Sequence, residues 1–271
     1  MSKSKTRLCL LIASCTLAAA ILLILVLFFQ GILRFNEPGS KYPVKGVDIS
    51  AHQGQADWPL LASQGISFAF IKATEGSSYT DPQYAANIKG ALSAGLAAGA
   101  YHFFSFESPF STQLEHFHAV AGDLSGMLPP VVDVEFYGSF RSARDIDAAA
   151  VKRELRGFVD GLSRIYNKTP VIYTTQAAKN SILGSDFDDC DLWIRSVYLP
   201  ASPTESWRFW QYNDRARLKG YNGRERFIDM NVFNGSREEF DEYLSREGSA
   251  LQRTFPLIVR LIKCRKLLLF L

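Results

Sequence analysis

The chain has 271 residues, 47% of them hydrophobic and 13% aromatic, which is ample for a sizeable core and too apolar for a disordered chain. Lys and Arg number 30 against 27 Asp and Glu, a formal net charge of +3, so no basic excess exists to neutralise a phosphate backbone. That excludes an electrostatically driven nucleic-acid binder. The length allows one or two domains, and α/β barrels often exceed 200 residues as a single unit.

In chain order, residues 1–7 form a basic start with Lys3, Lys5 and Arg7. Residues 8–29 follow without a charge, long enough to span a bilayer, which takes roughly 20 residues. A cleaved signal peptide has a shorter apolar core and a small-residue site. Cutting after Leu17-Ala18-Ala19-Ala20 would leave residues 21–29 as an apolar new terminus. Ile12-Ala13-Ser14-Cys15 resembles a lipoprotein site but would also be followed by membrane-like sequence. The run therefore reads as an uncleaved single-pass anchor. The basic start places the N-terminus inside and the folded part outside, in the periplasm or at the cell exterior, with Arg34, Lys41 and Lys45 reducing the contrast. Residues 30–43 are a short linker rich in turn formers, among them Pro38, Gly39 and Ser40.

From Val44 the pattern alternates β-rich runs with helix-like stretches. Strands are predicted at 44–50, 66–73, 97–104, 130–135, 170–174, 192–196, 207–212 and 226–233, and helices at 59–64, 82–94, 109–124 and 145–166. This alternation implies parallel strands, and eight strands in about 190 residues suit a closed α/β barrel lean on late helices. The folded unit is placed at 44–244, leaving 245–271 as a basic apolar tail. After Glu247 there is no acidic residue, and Arg253, Arg260, Lys263, Arg265 and Lys266 alternate with apolar side chains. The tail reads as an appendage without a defined role, with a membrane-surface helix as the other reading. The four cysteines, Cys9, Cys15, Cys190 and Cys264, have no spacing that suggests zinc or a disulfide framework.

Four carboxylates fall at strand ends among apolar β-formers: Asp48, Asp133, Glu135 and Asp229. Side chains alternate along a strand, so Asp133 and Glu135 share a face while Val132 and Val134 point the other way. Buried charge is costly unless paired or used, and strand-end carboxylates at the C-terminal face of a barrel read as catalytic. First and last strands adjoin in a closed barrel, so Asp48 and Asp229 should converge on the same mouth. Carboxylates held apart in pKa are what glycosidic cleavage requires.

At this point the sequence resembles the family-25 glycoside hydrolases, the Chalaropsis-type lysozymes that cut peptidoglycan. Seven runs in order carry the likeness: Lys45–Gly54 with Asp57-Trp58, Phe70–Gly76, Gly99–Phe104, Asp133–Glu135, Pro170–Thr174, Trp207–Tyr212 and Ile228–Gly235. The resemblance implies a TIM-like (β/α)5(β)3 barrel behind the membrane helix. It also implies an N-acetylmuramidase cleaving the β-1,4 bond between N-acetylmuramic acid and N-acetylglucosamine in a bacterial envelope. By the same likeness, Glu135 is the general acid and Asp133 the nucleophile or the stabiliser of a substrate-assisted intermediate. Asp48 and Asp229 match the other carboxylates of the catalytic centre. Arg195 departs from the small residue usual at its position. Two strand positions put the Cα atoms of Asp133 and Glu135 roughly 6.5 Å apart, so side-chain rotamers decide between a retaining and an inverting carboxyl separation.

Tyr101, Tyr173, Trp210 and Gln211 are candidates for the sugar-binding wall, and Lys72 and Glu75 for a loop over the mouth. No metal or cofactor is called for. His116 and His118 lie two apart on a predicted helix and do not face each other. The expected partners are a peptidoglycan glycan strand and, through residues 8–29, a membrane. A family-18-type chitinase would need an acidic residue where Val131 stands. A non-catalytic peptidoglycan-binding protein is the rival of another class, disfavoured by retention of all four carboxylates.

Overall fold

The computed structural model describes residues 3–33 and 36–254, so most of the predicted tail, residues 255–271, lies outside the described residues. An N-terminal helix α1 (Lys3–Phe29) contains an apolar stretch, Arg7–Phe29, of 23 residues, none of them buried in the protein. The strands that follow are β1 (Lys45–Ile49), β2 (Ile66–Glu75), β3 (Tyr79–Thr80), β4 (Ala97–Phe103), β5 (Val131–Val134), β6 (Val171–Thr175), β7 (Asp191–Arg195), β8 (Phe209–Ala216) and β9 (Ile228–Phe233). Helices α2 (Trp58–Ser63), α3 (Tyr84–Ser93), α4 (Phe110–Ala121), α5 (Ala148–Tyr166) and α6 (Gln176–Ala178) lie between the earlier strands, and α7 (Arg237–Thr254) ends the described chain.

Eight strands close a barrel in the order β1-β2-β4-β5-β6-β7-β8-β9, and β9 returns to β1. All eight predicted strands are present. β3 was not predicted; it folds back on β2 as a two-residue antiparallel flap. The expectation of parallel strands throughout needs correction at the last one. β9 runs antiparallel to both β8 and β1, because β8 connects to it directly and not through a crossover helix. The predicted boundary at 244 also falls inside α7, a helix whose polar start hid it. Phe240 and Tyr243 of α7 pack on Phe233 beneath the barrel.

Strand alternation sorts the core into two layers. Val47, Ile71, Val132, Val134, Ile172 and Trp210 face outward and meet α2–α5 and the long connections. Phe68, Phe70, Val131, Val171, Trp193, Phe209 and Phe233 face inward and fill the barrel floor. Phe68 lies 5.4 Å from Phe209, and Phe70 stacks on Trp193 at 4.5 Å. Gly46 makes room for this floor, since a Cβ there would overlap the Phe68 ring. With the floor filled by rings, only the upper end of the barrel is left open.

Candidate active site

Continuing each inward-facing series two residues toward the mouth gives the site. Gly46 leads to Asp48, Phe70 to Lys72, Gly99 to Tyr101, Val131 to Asp133 and then Glu135. Val171 leads to Tyr173, Trp193 to Arg195 and Phe209 to Gln211. The antiparallel β9 supplies Phe233 at the floor, Asn231 above it and Asp229 at the mouth, where Asp229 pairs with Asp48 in the β1–β9 register. Asp229 thus reaches the mouth from the start of its strand, because that strand runs the other way. The result is a cleft of about 700 Å³ lined by Asp48, Asp133, Glu135 and Asp229 together with Lys72, Tyr101, Tyr173, Trp193 and Gln211. That volume lies within the range of small-ligand sites.

Asp48 is held by a continuous chain of hydrogen bonds. Trp193 Nε1 donates to Asn231 Oδ1 at 2.8 Å, and Asn231 Nδ2 donates to Asp48 Oδ2 at 2.7 Å. From the other side Tyr173 Oη donates to Gln211 Oε1 at 3.0 Å, and Gln211 Nε2 donates to Asp48 Oδ2 at 3.0 Å. The indole N–H can only donate, so it fixes the orientation of the Asn231 amide. Burial raises the pKa of Asp48, while these amide donors pull it back. Asp229 is raised well above the usual carboxylate range by burial and by the charge of Asp48. The two amide donors favour the charged form of Asp48, so the pair is arranged to hold one proton between its two carboxyls.

Asp133 and Glu135 lie on the facing wall. Burial first, then repulsion from Glu135, raises Asp133 well above the ordinary carboxylate value, with the Lys72 ammonium opposing. Asp133 Oδ1 is buried without a hydrogen-bond partner. Glu135, one residue beyond β5 and half-buried at the lip, is also raised, mainly by burial, against the pull of Arg195. A carboxyl whose ionised form is disfavoured by burial, open to the cleft, has the property needed for proton donation.

Other predicted residues divide. Lys72 lines the cleft, whereas Glu75 sits outside it and holds Lys72 Nζ at 2.6 Å. Trp210 does not line the cleft. It neighbours Gln211, so alternation turns it outward, where it packs on Tyr42, Trp207 and Tyr212 and its Nε1 donates to Ser196 O at 2.9 Å. The sugar contact expected at Trp210 is therefore withdrawn. His116 Nε2 meets Tyr79 O at 3.1 Å and His118 Nδ1 meets Tyr166 Oη at 3.3 Å, on separate partners.

Trp193, Asn231 and the Arg195–Asp214 ion pair (2.7 Å) were not singled out as site residues from sequence. The spacing of Trp193 and Arg195 along β7 could have placed both, since one inward residue on that strand implies the other.

Residues 47–221 match the glycosyl hydrolases family 25. The chain is 33% identical to lysozyme M1 of Streptomyces globisporus, covering 73% of this chain and 70% of that one. Among solved structures, a family 25 glycosyl hydrolase from Bacillus anthracis is 41% identical with a TM-score of 0.71, over 77% of this chain and 96% of the other. The bacterial lysozyme from Streptomyces coelicolor is 32% identical with a TM-score of 0.68, over 76% and 98%.

Proposed function

This chain belongs to the glycosyl hydrolases of family 25 and is a glycosidase, a peptidoglycan hydrolase of the lysozyme type; on that premise we propose that it cuts the β-1,4 bond between N-acetylmuramic acid and N-acetylglucosamine. The observation that carries the reading is the convergence of Asp48, Asp133, Glu135 and Asp229 on one cleft at the barrel mouth. Glu135 gives its proton to the glycosidic oxygen as the bond from that oxygen to the muramic acid C1 breaks. Asp133 supplies negative charge to the C1 centre, directly as nucleophile or by steadying an intermediate formed with the acetamido group. Lys72, gripped by Glu75, draws Asp133 toward its ionised form when the substrate is bound. Water adds its hydroxyl at C1 and returns its proton to Glu135. Asp48 and Asp229 share one proton and orient the sugar, while Tyr101, Tyr173 and Trp193 offer ring faces to it.

The (β/α)5(β)3 reading is supported by helices after each of the first five barrel strands. Among the described residues no helix lies between β7, β8 and β9. We read residues 44–244, extended by α7, as the catalytic unit and Arg7–Phe29 as a membrane anchor holding it on the outer side of a bacterial cell membrane. The exposed, uncharged side chains of residues 8–26 support that reading.

The test pairs chemistry with binding. Wild-type protein incubated with peptidoglycan should release new reducing ends. Glu135→Gln keeps size and hydrogen bonding but has no such proton to give, so its turnover should fall by roughly 10²–10⁴-fold while it still sediments with the polymer. Wild-type protein that sediments with peptidoglycan but releases no reducing ends would establish the non-catalytic binding protein instead.

A further inference from the structure

The segment leaving α1 is not a free tether. Gly31 is buried at φ +68°, and a Cβ there would overlap the Arg215 carbonyl oxygen, so only glycine fits so close an approach. Arg217 Nη2 donates to Gln30 Oε1 at 3.1 Å, the Arg215 guanidinium lies 5.0 Å over the Phe29 ring, and Phe28 meets Tyr198 at 6.1 Å. A second clamp follows at Asn36, whose Nδ2 donates to Ser196 O at 2.7 Å and Leu199 O at 2.9 Å.

Length decides where these clamps sit relative to a bilayer. At about 1.5 Å per residue the apolar helix is roughly 35 Å long, against a hydrocarbon core of about 30 Å. Phe28 and Phe29 therefore fall in the headgroup layer, where aromatic rings collect. Phe29 also lines the catalytic cleft, beside Asp214 and Arg215. One residue both ends the span and walls the site. Around it the rim presents Tyr198 and Leu199, 59% and 71% exposed, and the exposed cations Arg217, Lys219, Arg224 and Arg226.

We propose that this rim, formed by the β7–β8 and β8–β9 connections, lies on the anionic phospholipid headgroups of the membrane that holds α1. The cleft mouth is thereby kept at that surface, and the substrate is glycan near its membrane-attached end. The proposal rests on the anchor reading above. Cationic and aromatic residues beside an apolar span suit a surface that is negative and interfacial. A barrel on a loose tether would instead sweep a volume and cut strands throughout it.

The experiment uses the full chain reconstituted in phosphatidylglycerol–phosphatidylcholine vesicles. Flotation that survives high salt tests the anchor. Tyr198→Trp is then compared with Ser125→Trp, an exposed position just before β5 at the opposite end of the barrel. Shallow-brominated lipid should quench the added fluorescence at 198 and not at 125. With glycan strands tied to the same vesicles by a terminal lipid, the wild-type chain should leave short lipid-linked stubs of narrow length. Gly31→Val, which forces the clamp open, should still float but lose the quenching and give a broad stub distribution. Failure to float would overturn the anchor reading. A chain that floats, with no quenching at 198 and the same stub distribution in wild type and Gly31→Val, would overturn the docked rim while leaving the anchor standing.

Discussion

Asp133 shows most sharply how one side chain serves chemistry at a cost to the fold. Its Oδ1 is buried without a partner, and its proton affinity is raised by burial and by Glu135. A group whose folded pKa lies above its unfolded value costs the fold increasingly as pH rises through the folded value. Asp133→Asn removes that ionisation and the repulsion with Glu135. We expect its melting temperature to exceed that of wild type by a few degrees at pH 8, a gain of about 1 kcal/mol or more, and to converge with wild type only below the unfolded value of 3.8, where both states keep the proton. Turnover should fall at least 100-fold in the same variant. Thermal denaturation across pH 3.5–8 checks the stability, and reducing-end release checks the turnover. His102 works in the opposite direction. It is fully buried between Thr74 Oγ1 at 2.7 Å and Gln113 Oε1 at 3.0 Å, and burial lowers its pKa to about 3. A depressed folded pKa means stability that is present above the unfolded value near 6.5 and is lost as pH falls toward 3. His102→Gln should be less stable at pH 7 yet lose less stability than wild type between pH 7 and pH 4.5. Melting temperatures at those two values suffice.

Among the elements, α7 is the one whose importance varies most along its length. Phe240 is buried against Phe68 and Phe233, sealing the barrel floor from below. Phe240→Ala leaves a cavity there and should cost about 3–5 kcal/mol, lowering the melting temperature by roughly 6–20 °C. Truncation after Ser249, which removes the basic apolar end of the chain, should shift stability by no more than about 0.5 kcal/mol and leave lysis unchanged. Calorimetry on the two variants separates plug from appendage. The elements were unequally legible in the sequence. The eight barrel strands showed themselves as short β-branched and aromatic runs between glycines and prolines. α7 did not, because Arg237-Glu238-Glu239 and Asp241-Glu242 mask the Phe240 and Tyr243 stripe. The direction of β9 was hidden too, since it depends on how the 217–227 connection travels rather than on any residue within the strand.

At the scale of the whole molecule, the candidate site was largely legible because a barrel converts strand spacing into position. Carboxylates two residues above a floor side chain must point into the mouth, as Asp133 does above Val131 and Asp48 above Gly46. Alternation failed as a guide where both faces of a strand are aromatic. In Trp207-Arg208-Phe209-Trp210-Gln211-Tyr212 nothing in the composition says which residues face inward, and Trp210 proved to face out. The donors around Asp48 were also beyond reach, since Asn231 and Trp193 meet across the barrel from strands 38 positions apart. What these residues jointly build is a glycosidase cleft, and the most direct test is to identify which sugar carries the new reducing end. Peptidoglycan digested with the full chain is reduced with borohydride and analysed by mass spectrometry, with Glu135→Gln run in parallel. The expected result is reduced muramic acid at the ends released by wild type and none above background for Glu135→Gln. Reduced glucosamine ends, or equal release by Glu135→Gln, would contradict the assignment of bond and acid.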